Sequence, residues 1–516
     1  MSAARLAVWP GVYRDSLLLL SATRAMRDGD GVEWATAVMA TPGSVQDLAD
    51  AGFAVADLAG ADANDLVLAV RAPDAAAADA ALELGRTVLF AQAGGDESGG
   101  ADSARPAPRT IEGATTQLRD ANVAVVSVPG PYAGLAAHQA LTRGLHVLLF
   151  SDNVPVEEEI ALKDRAAARG RLLMGPGAGT AVLGGVGLGF ANAVRRGRVG
   201  VVAAAGTGAQ EVMTLLDRWD VGVSHVIGVG GRDLSARVGG RMAAYAVRAL
   251  DADPGTDAIL LVSKPPDTRV AAEVVSRSHQ TPVVAACIGM TAPDGRLGDA
   301  VLAGTLEEGA IAVTRRLGRP VPDLTAGLAG AAGQAIRRLA DSRTAVRGFF
   351  TGGTLCYEAQ VLLSELLGPV YSNIPLAADR ALPAPAGAHA CLDLGEEEYT
   401  KGRPHPMIDP AARIEIMQEQ AFGPEVAVVL LDVVLGYGSH PDPAGQVAGV
   451  CAEIIASGAA VVAYVLGTAS DPQGLDGQRA KLQQAGVIVT VTAARAARTA
   501  AAIAARRPAL AEVMTG

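Results

Sequence analysis

The feature that most constrains this chain is a unit that occurs twice: an apolar strand that stops at a glycine-threonine turn and passes directly into an amphipathic helix. Val199 to Leu216 reads VGVVAAAGTGAQEVMTLL, and Val346 to Leu363 reads VRGFFTGGTLCYEAQVLL. The first turn of a helix has unpaired N–H groups and the positive end of the helix dipole, so a small anion can rest there. Gly206, Thr207 and Gly208 form one candidate cradle; Gly352, Gly353 and Thr354 form the other. Glycine and threonine are also common in ordinary strand-to-helix turns. The repetition is what favours one substrate held between two lobes.

A chain of 516 residues is several domains long, because single cores rarely grow beyond about 250 to 300 residues. Half of the residues are hydrophobic but only 3% are aromatic, which favours closely packed parallel α/β layers over an aromatic nucleic-acid surface. The net charge of −11 argues against nucleic acid and anionic membranes as partners. Cys287, Cys356, Cys391 and Cys451 are scattered without metal-ligand spacing, so neither a disulfide framework nor a metal site is expected. The N-terminus lacks a signal-peptide pattern, and Val447 to Gly467 is interrupted by Glu453 and Ser457-Gly458, so a cytoplasmic protein is expected.

Residues 1–93 alternate strand-like and helix-like segments and read as a small α+β domain with a ferredoxin-like arrangement, in which Asp15-Ser16 caps a helix. Residues 94–110 are rich in Gly, Pro and Ser and read as a linker. Residues 111–196 show the βαβ rhythm of a Rossmann-like domain. Gly184 to Gly189, GGVGLG, follows no clear strand and opens no phosphate-binding helix, so a dinucleotide is not expected.

Residues 197–325 form the next domain, whose strands all end in polar or glycine-rich loops: Gly206-Thr207-Gly208, then Gly230-Gly231-Arg232-Asp233, then Ser263-Lys264-Pro265-Pro266. In a parallel sheet these ends share one edge, where α/β proteins bind ligands. Gly230, Gly231 and Arg232 are therefore candidate anion-binding residues, and Lys264 adds positive charge. Leu306-Glu307-Glu308 opens a further helix and is expected to supply favourable first-turn charge only. Residues 340–516 form the last domain, where Asp432, as the apolar run gives way to a loop, is a candidate metal ligand or general base, or else an aspartate bonded to local backbone. Glu397 to Pro410, EEYTKGRPHPMIDP, is too proline-rich for a helix and dense in Lys401, Arg403, His405 and Asp409, so Arg403 and His405 join the candidate catalytic residues.

The strings SVPGPYAG, FSDNVPVEEEI, AAGTGAQEV, IGVGGRDLS, VSKPPD, TGGTLCYEA and DLGEEEYTKGRPHPMIDP resemble the FdrA family, relatives of succinyl-CoA synthetase. The resemblance spans nearly the whole chain. It implies an α/β fold: a CoA-binding-type Rossmann-like domain followed by two flavodoxin-like, succinyl-CoA synthetase-type domains. It implies phosphate sites at Gly206 to Gly208 and Gly352 to Thr354. Asp299 stands where the synthetase carries its phosphorylated histidine, the glutamate that contacts that histidine is replaced near Ser263-Lys264, and the N-terminal glycine loop for CoA is absent. Gly177-Ala178 stands where relatives often carry Asp-Cys. The function implied is a subunit of an oxamate carbamoyltransferase, moving a carbamoyl group between oxalurate and phosphate in allantoin and purine catabolism. That chemistry needs small anionic substrates, partner subunits and an oligomer, and no cofactor is firmly implied. The alternatives are an NDP-forming acyl-CoA synthetase, which would bind CoA and nucleotide, and a non-catalytic scaffold subunit.

Overall fold

The computed structural model describes residues 2–14, 16–54, 58, 60–90, 108–276, 279–401 and 403–513, in two compact units divided between residues 107 and 108. Asp15 and most of the expected linker lie outside the described residues. No described helix is long and apolar enough to cross a membrane.

The first unit is a three-stranded antiparallel sheet in which Leu66–Ala72 runs between Ala3–Trp9 and Trp34–Met39. Alternation along Leu66–Ala72 sends Leu66, Leu68 and Val70 to one face, where Leu19, Ala22 and Met26 of helix Ser16–Arg27 meet Ala78, Ala81 and Leu89 of helix Ala75–Phe90. Val67 and Ala69 point to the other face, against Leu48 and Phe53. Two parallel strands flanking an antiparallel one are the core of the ferredoxin-like arrangement. Its fourth strand is absent among the described residues, and helix Pro42–Asp50 is an addition.

The second unit contains three sheets. Val123–Val126, His146–Leu149 and Leu173–Met174 form a parallel sheet in chain order, with helices Gly130–Thr142 and Val156–Ala168 as the crossovers. The hairpin of Thr180–Leu183 and Val186–Gly189 does not continue this sheet; it pairs antiparallel onto Val223–Gly228 of the next. GGVGLG thus does follow a strand, but it turns back as a second strand rather than opening a helix, so its glycines serve a hairpin.

The next two sheets repeat one plan. Arg196–Ala203, Val223–Gly228, Ala258–Ser263, Val283–Cys287 and Ala300–Ala303 lie in the order second, first, third, fourth, fifth, all parallel. Ala345–Phe350, His389–Asp393, Val426–Val434, Ala460–Leu466 and Ile488–Thr490 lie in the same order. This is the flavodoxin-like order, in which ligands collect beyond the carboxyl ends of the strands where the winding reverses. Val426–Val434 is buried on every residue, as a central parallel strand covered on both faces must be.

The first and last helices of each repeat pack together and share one core cluster. These helices are Gly206–Arg218, Leu306–Arg316, Gly353–Leu367 and Ala493–Ala504. The run of alanines at 496, 497, 500, 501 and 502, all at or near zero exposure, lets the last helix approach closely. The repeats also interlock through reciprocal caps. Glu211 of the first repeat accepts from the N–H of Ala493 (3.3 Å), the first residue of the second repeat's final helix. Glu358 of the second repeat accepts from the N–H of Leu306 (2.7 Å), the first residue of the first repeat's final helix. Both glutamates lie six residues after the N-cap of their own helix.

Glu307 departs from the sequence expectation of first-turn charge alone. It is buried and paired with Arg495, whose Nε lies 3.0 Å from both carboxylate oxygens, and Thr492 donates to it at 2.5 Å. Burial pushes the Glu211 carboxyl up to about 7 and that of Glu358 up to about 8. A carboxyl raised in this way keeps its proton in the folded state after the unfolded chain has released it near 4.5. Its contribution to stability is therefore complete below about pH 4.5 and is lost as the pH rises through about 7 and 8. Glu358→Gln keeps an acceptor for Leu306 without a titratable proton. In denaturant melts it is expected to be more stable than wild type at pH 8.5 and indistinguishable at pH 5; the reverse order would show that Glu358 is held ionised.

Candidate functional site

The two glycine-threonine helix starts, 147 positions apart in sequence, meet at the interface of the repeats. Neither has a side-chain cap and neither has an acidic residue in its first turn. The N–H of Thr354 donates to Thr207 Oγ1 at 3.3 Å, and both threonines are buried. A methyl added to Gly208 would stand 3.0 Å from Thr354 Cγ2, and one on Gly352 would stand 2.8 Å from Thr207 Cγ2. Contact with the threonine side chain of the facing start is thus what favours glycine here. Gly206 differs: it is exposed, and a methyl there would meet nothing within 4 Å. Each helix start is equivalent to about +0.5 charge. Two of them converging beside an open glycine form a place that favours an anion.

The second start is furnished differently. Asp432 lies inside the strand Val426–Val434 and is 1% exposed. It accepts from the N–H of Thr351 (2.8 Å), from its hydroxyl (3.0 Å) and from the N–H of Gly352 (2.9 Å). Arg413 stands 3.5 Å away and donates to the Asp432 carbonyl at 2.6 Å. Every oxygen of this carboxylate is engaged, so the expected base is instead a brace that fixes the Thr351-Gly352 turn.

Asp393, which the motif reading passed over, occupies the position that Asp432 was expected to hold. It ends the strand His389–Asp393 and is 3% exposed. Its Oδ1 accepts from the N–H of Gly395 at 3.0 Å, while its Oδ2 lies against the Cα of Gly353, where an added methyl would overlap it. Burial pushes its carboxyl up to about 7, with Glu396 and Asp432 adding to the rise and Lys264 opposing it. Lys264, at the end of the strand Ala258–Ser263, thus acts across the lobes on Asp393. The only sequence signal for Asp393 was an aspartate ending an apolar run just before Leu-Gly.

His405 borders the same place: a methyl on Gly395 would stand 2.7 Å from its Nε2 and 3.2 Å from Asp393 Oδ1. Its Nδ1 accepts from the N–H of Met407 (3.2 Å), which puts the remaining proton on Nε2. Burial lowers its pKa to about 4. At neutral pH it is a fixed donor.

Three other expectations are corrected. Arg232 donates to Glu159 at 2.9 Å and to the Val154 carbonyl at 2.7 Å, so its guanidinium ties the second strand's loop to the start of helix Val156–Ala168. Gly230 has φ +88 and backs onto the carbonyl of Pro176, so it serves a close crossing of chains, while Gly231 stays exposed beside Ala204. Beneath them Lys163 Nζ, fully buried, donates to Glu159 (2.6 Å), Asp233 (2.7 Å) and the Val229 carbonyl (2.9 Å). Arg403 turns outward and pairs with Glu415 at 2.6 Å, both side chains more than half exposed. Such pairs contribute about 0 to 1 kcal/mol. Arg403→Ala is expected to leave both the melting temperature and small-anion affinity within error; a tenfold loss of affinity would place it at the site after all. Asp299 is exposed on a hairpin turn whose Gly298 packs on Ser276.

Two surface clefts lie elsewhere. One of about 270 Å³ runs along Asn192 to Arg195, Asp217 and Tyr437, and another of about 230 Å³ lies between Gly436-Tyr437-Gly438 and Pro472-Gln473.

Comparison with known proteins agrees with this architecture. Residues 349–503 match the CoA-ligase family model, and residues 1–106 match the family described as AllF, heavy metal-associated domain. Succinate–CoA ligase [ADP-forming] subunit alpha 2 of Archaeoglobus fulgidus is 32% identical over 199 residues, 37% of this chain and 67% of that one. The apo dinucleotide-forming acetyl-coenzyme A synthetase 1 of Ca. Korarchaeum cryptofilum aligns over 76% of this chain and 84% of that one, at 16% identity and a TM-score of 0.28, too low to bear on the fold. YahF of Escherichia coli strain K12, described as an uncharacterized protein, is 38% identical over 511 residues, 94% of this chain and 96% of that one. With that identity along its length, two flavodoxin-like repeats and a CoA-ligase match in the second of them, the chain belongs to the FdrA family of succinyl-CoA synthetase-like proteins.

Proposed function

We propose that this chain is a subunit of an oxamate carbamoyltransferase, which moves a carbamoyl group between oxalurate and phosphate in allantoin and purine catabolism. The observation that carries the reading is the meeting of two helix starts at one interface, neither capped by its own N-cap side chain, with Gly206 open to solvent. Direct transfer of a carbamoyl group needs a seat for phosphate, fixed donors for the tetrahedral oxyanion and alignment of the two reactants. Gly206, Thr207 and Gly208 supply the seat, Lys264 supplies positive charge, and His405 Nε2–H supplies a rigid donor. It does not need a relay histidine, which agrees with Asp299 on an exposed turn.

The CoA-ligase match favours a second reading, an acid–thiol ligase that binds CoA and nucleotide. Calorimetry separates the two. The carbamoyltransferase reading expects heat on titration with phosphate or carbamoyl phosphate and none with CoA; tight CoA binding with no phosphate binding would favour the ligase. A chain that binds neither would be left with the role of a scaffold for partner subunits.

A further inference from the structure

The two helix starts are not equivalent, and the difference is a carboxylate. At the first start Gly206 faces open space, and no acidic side chain stands in its first turn. At the second, Asp393 Oδ2 lies against Gly353, takes no hydrogen bond from a described residue, and belongs to a side chain that is 97% buried. The carboxylate is held there firmly: Asn373 brackets its backbone, accepting from the Asp393 N–H and donating to its carbonyl, both at 2.9 Å. An anion seated on the N–H groups of the second start would therefore touch an aspartate oxygen. Two like charges at that separation, away from bulk water, cannot both remain.

We propose that the Gly353 helix start takes its anion only together with a proton carried on Asp393, whereas the Gly206 start takes its anion without one. This rests on the reading of both helix starts as substrate sites. In the protonated form the carboxyl donates a hydrogen bond to the incoming oxygen; in the ionised form it fills the helix start itself, as a capping carboxylate does. The groups that set the balance come from every neighbouring element. Lys264 on the first repeat favours the ionised form, while Glu396 in the following loop and Asp432 on the adjacent strand favour the protonated one. The Gly395 N–H favours ionisation, and His405, neutral beside Gly395, adds no charge. Arg413 acts on Asp432 rather than on Asp393. Burial decides the outcome and brings the exchange to about pH 7.

Sulfate is the suitable probe, because it keeps its charge from pH 5.5 to 8.5 while phosphate does not. Equilibrium binding of radiolabelled sulfate to the full chain is expected to give two sites at pH 5.5, one of which weakens about tenfold per pH unit above 7 while the other holds its affinity. Asp393→Asn, which stays neutral, is expected to keep both sites at every pH. Gly206→Asp removes the pH-independent site and so assigns the two. Two sites that persist unchanged to pH 8.5 in the wild type would overturn the proton coupling and leave the anion-site reading intact, as would an unchanged pH response in Asp393→Asn. Absence of any sulfate binding at pH 5.5 would overturn both. If Asp393→Asn fails to fold, Lys264→Met tests the same coupling: loss of its charge moves the weakening of the second site to higher pH, and no movement contradicts the proposal.

Discussion

At pH 8.5, where the Gly353 start has lost its affinity, Gly206→Asp is expected to abolish anion binding while leaving the protein at least as stable as wild type. A side chain at this position meets nothing within 4 Å, so the variant has room to fold. An aspartate in the first turn complements the helix dipole and stabilises by about 0.3 to 1 kcal/mol, the more so where glycine stood. The same charge stands about 5 Å from an anion on the helix N–H groups. At an effective dielectric constant of about 20 this repulsion is about 3 kcal/mol, a loss of about 100-fold or more in affinity. Melting curves and phosphate calorimetry on one preparation read both effects. A structural turn with no ligand would show only the first. Retained phosphate affinity would therefore remove Gly206 from the site.

The second large effect is on stability. Glu307→Ala removes the carboxylate that pairs with Arg495 at the interface of the repeats, where Arg495 is 1% exposed and Arg498 stands nearby. Breaking a buried ion pair from one side costs about 3 to 5 kcal/mol, because the remaining charge is stranded. Glu307 also accepts from Thr492, the cap of the last helix, so the loss reaches the element that ties the second repeat to the first. Urea melts are expected to show this loss, and the double variant Glu307→Met with Arg495→Met is expected to recover most of it. Additive losses in the double variant would show that the two side chains act separately. The interlock would then rest on the alanine-lined packing of the four helices and the reciprocal glutamate caps alone.

How far the sequence led depends on whether the signal was local. The strands of both repeats and the turns that end them were legible, because apolar runs closed by glycine leave few alternatives to a parallel sheet. The pairing of the two helix starts could be anticipated from their likeness. What could not be read were contacts between residues far apart in the chain. Glu211 and Glu358 sit among residues that read as ordinary amphipathic helix, yet they cap helices 282 and 52 positions away. Glu307 looked like first-turn charge because its partner lies 188 residues on. Arg403 and His405 were chosen for the rigidity of a proline-rich loop. Rigidity does not fix direction: one turns to Glu415 at the surface, and the other borders the site. Asp432 interrupts an apolar run and Asp393 ends one, and only the fold decides which of the two is engaged by the turn and which faces the helix start.

The central claim is that two converging helix starts serve carbamoyl transfer, and it is tested most directly by oxalurate phosphorolysis. The purified chain, alone and reconstituted with the products of neighbouring genes, is incubated with oxalurate and phosphate, and carbamoyl phosphate is measured. The account predicts carbamoyl phosphate formation that requires this chain and is lost with Gly206→Asp. Formation that proceeds equally with Gly206→Asp, or an assembly that makes no carbamoyl phosphate but forms an acyl-CoA from a carboxylic acid, CoA and ATP, would contradict it.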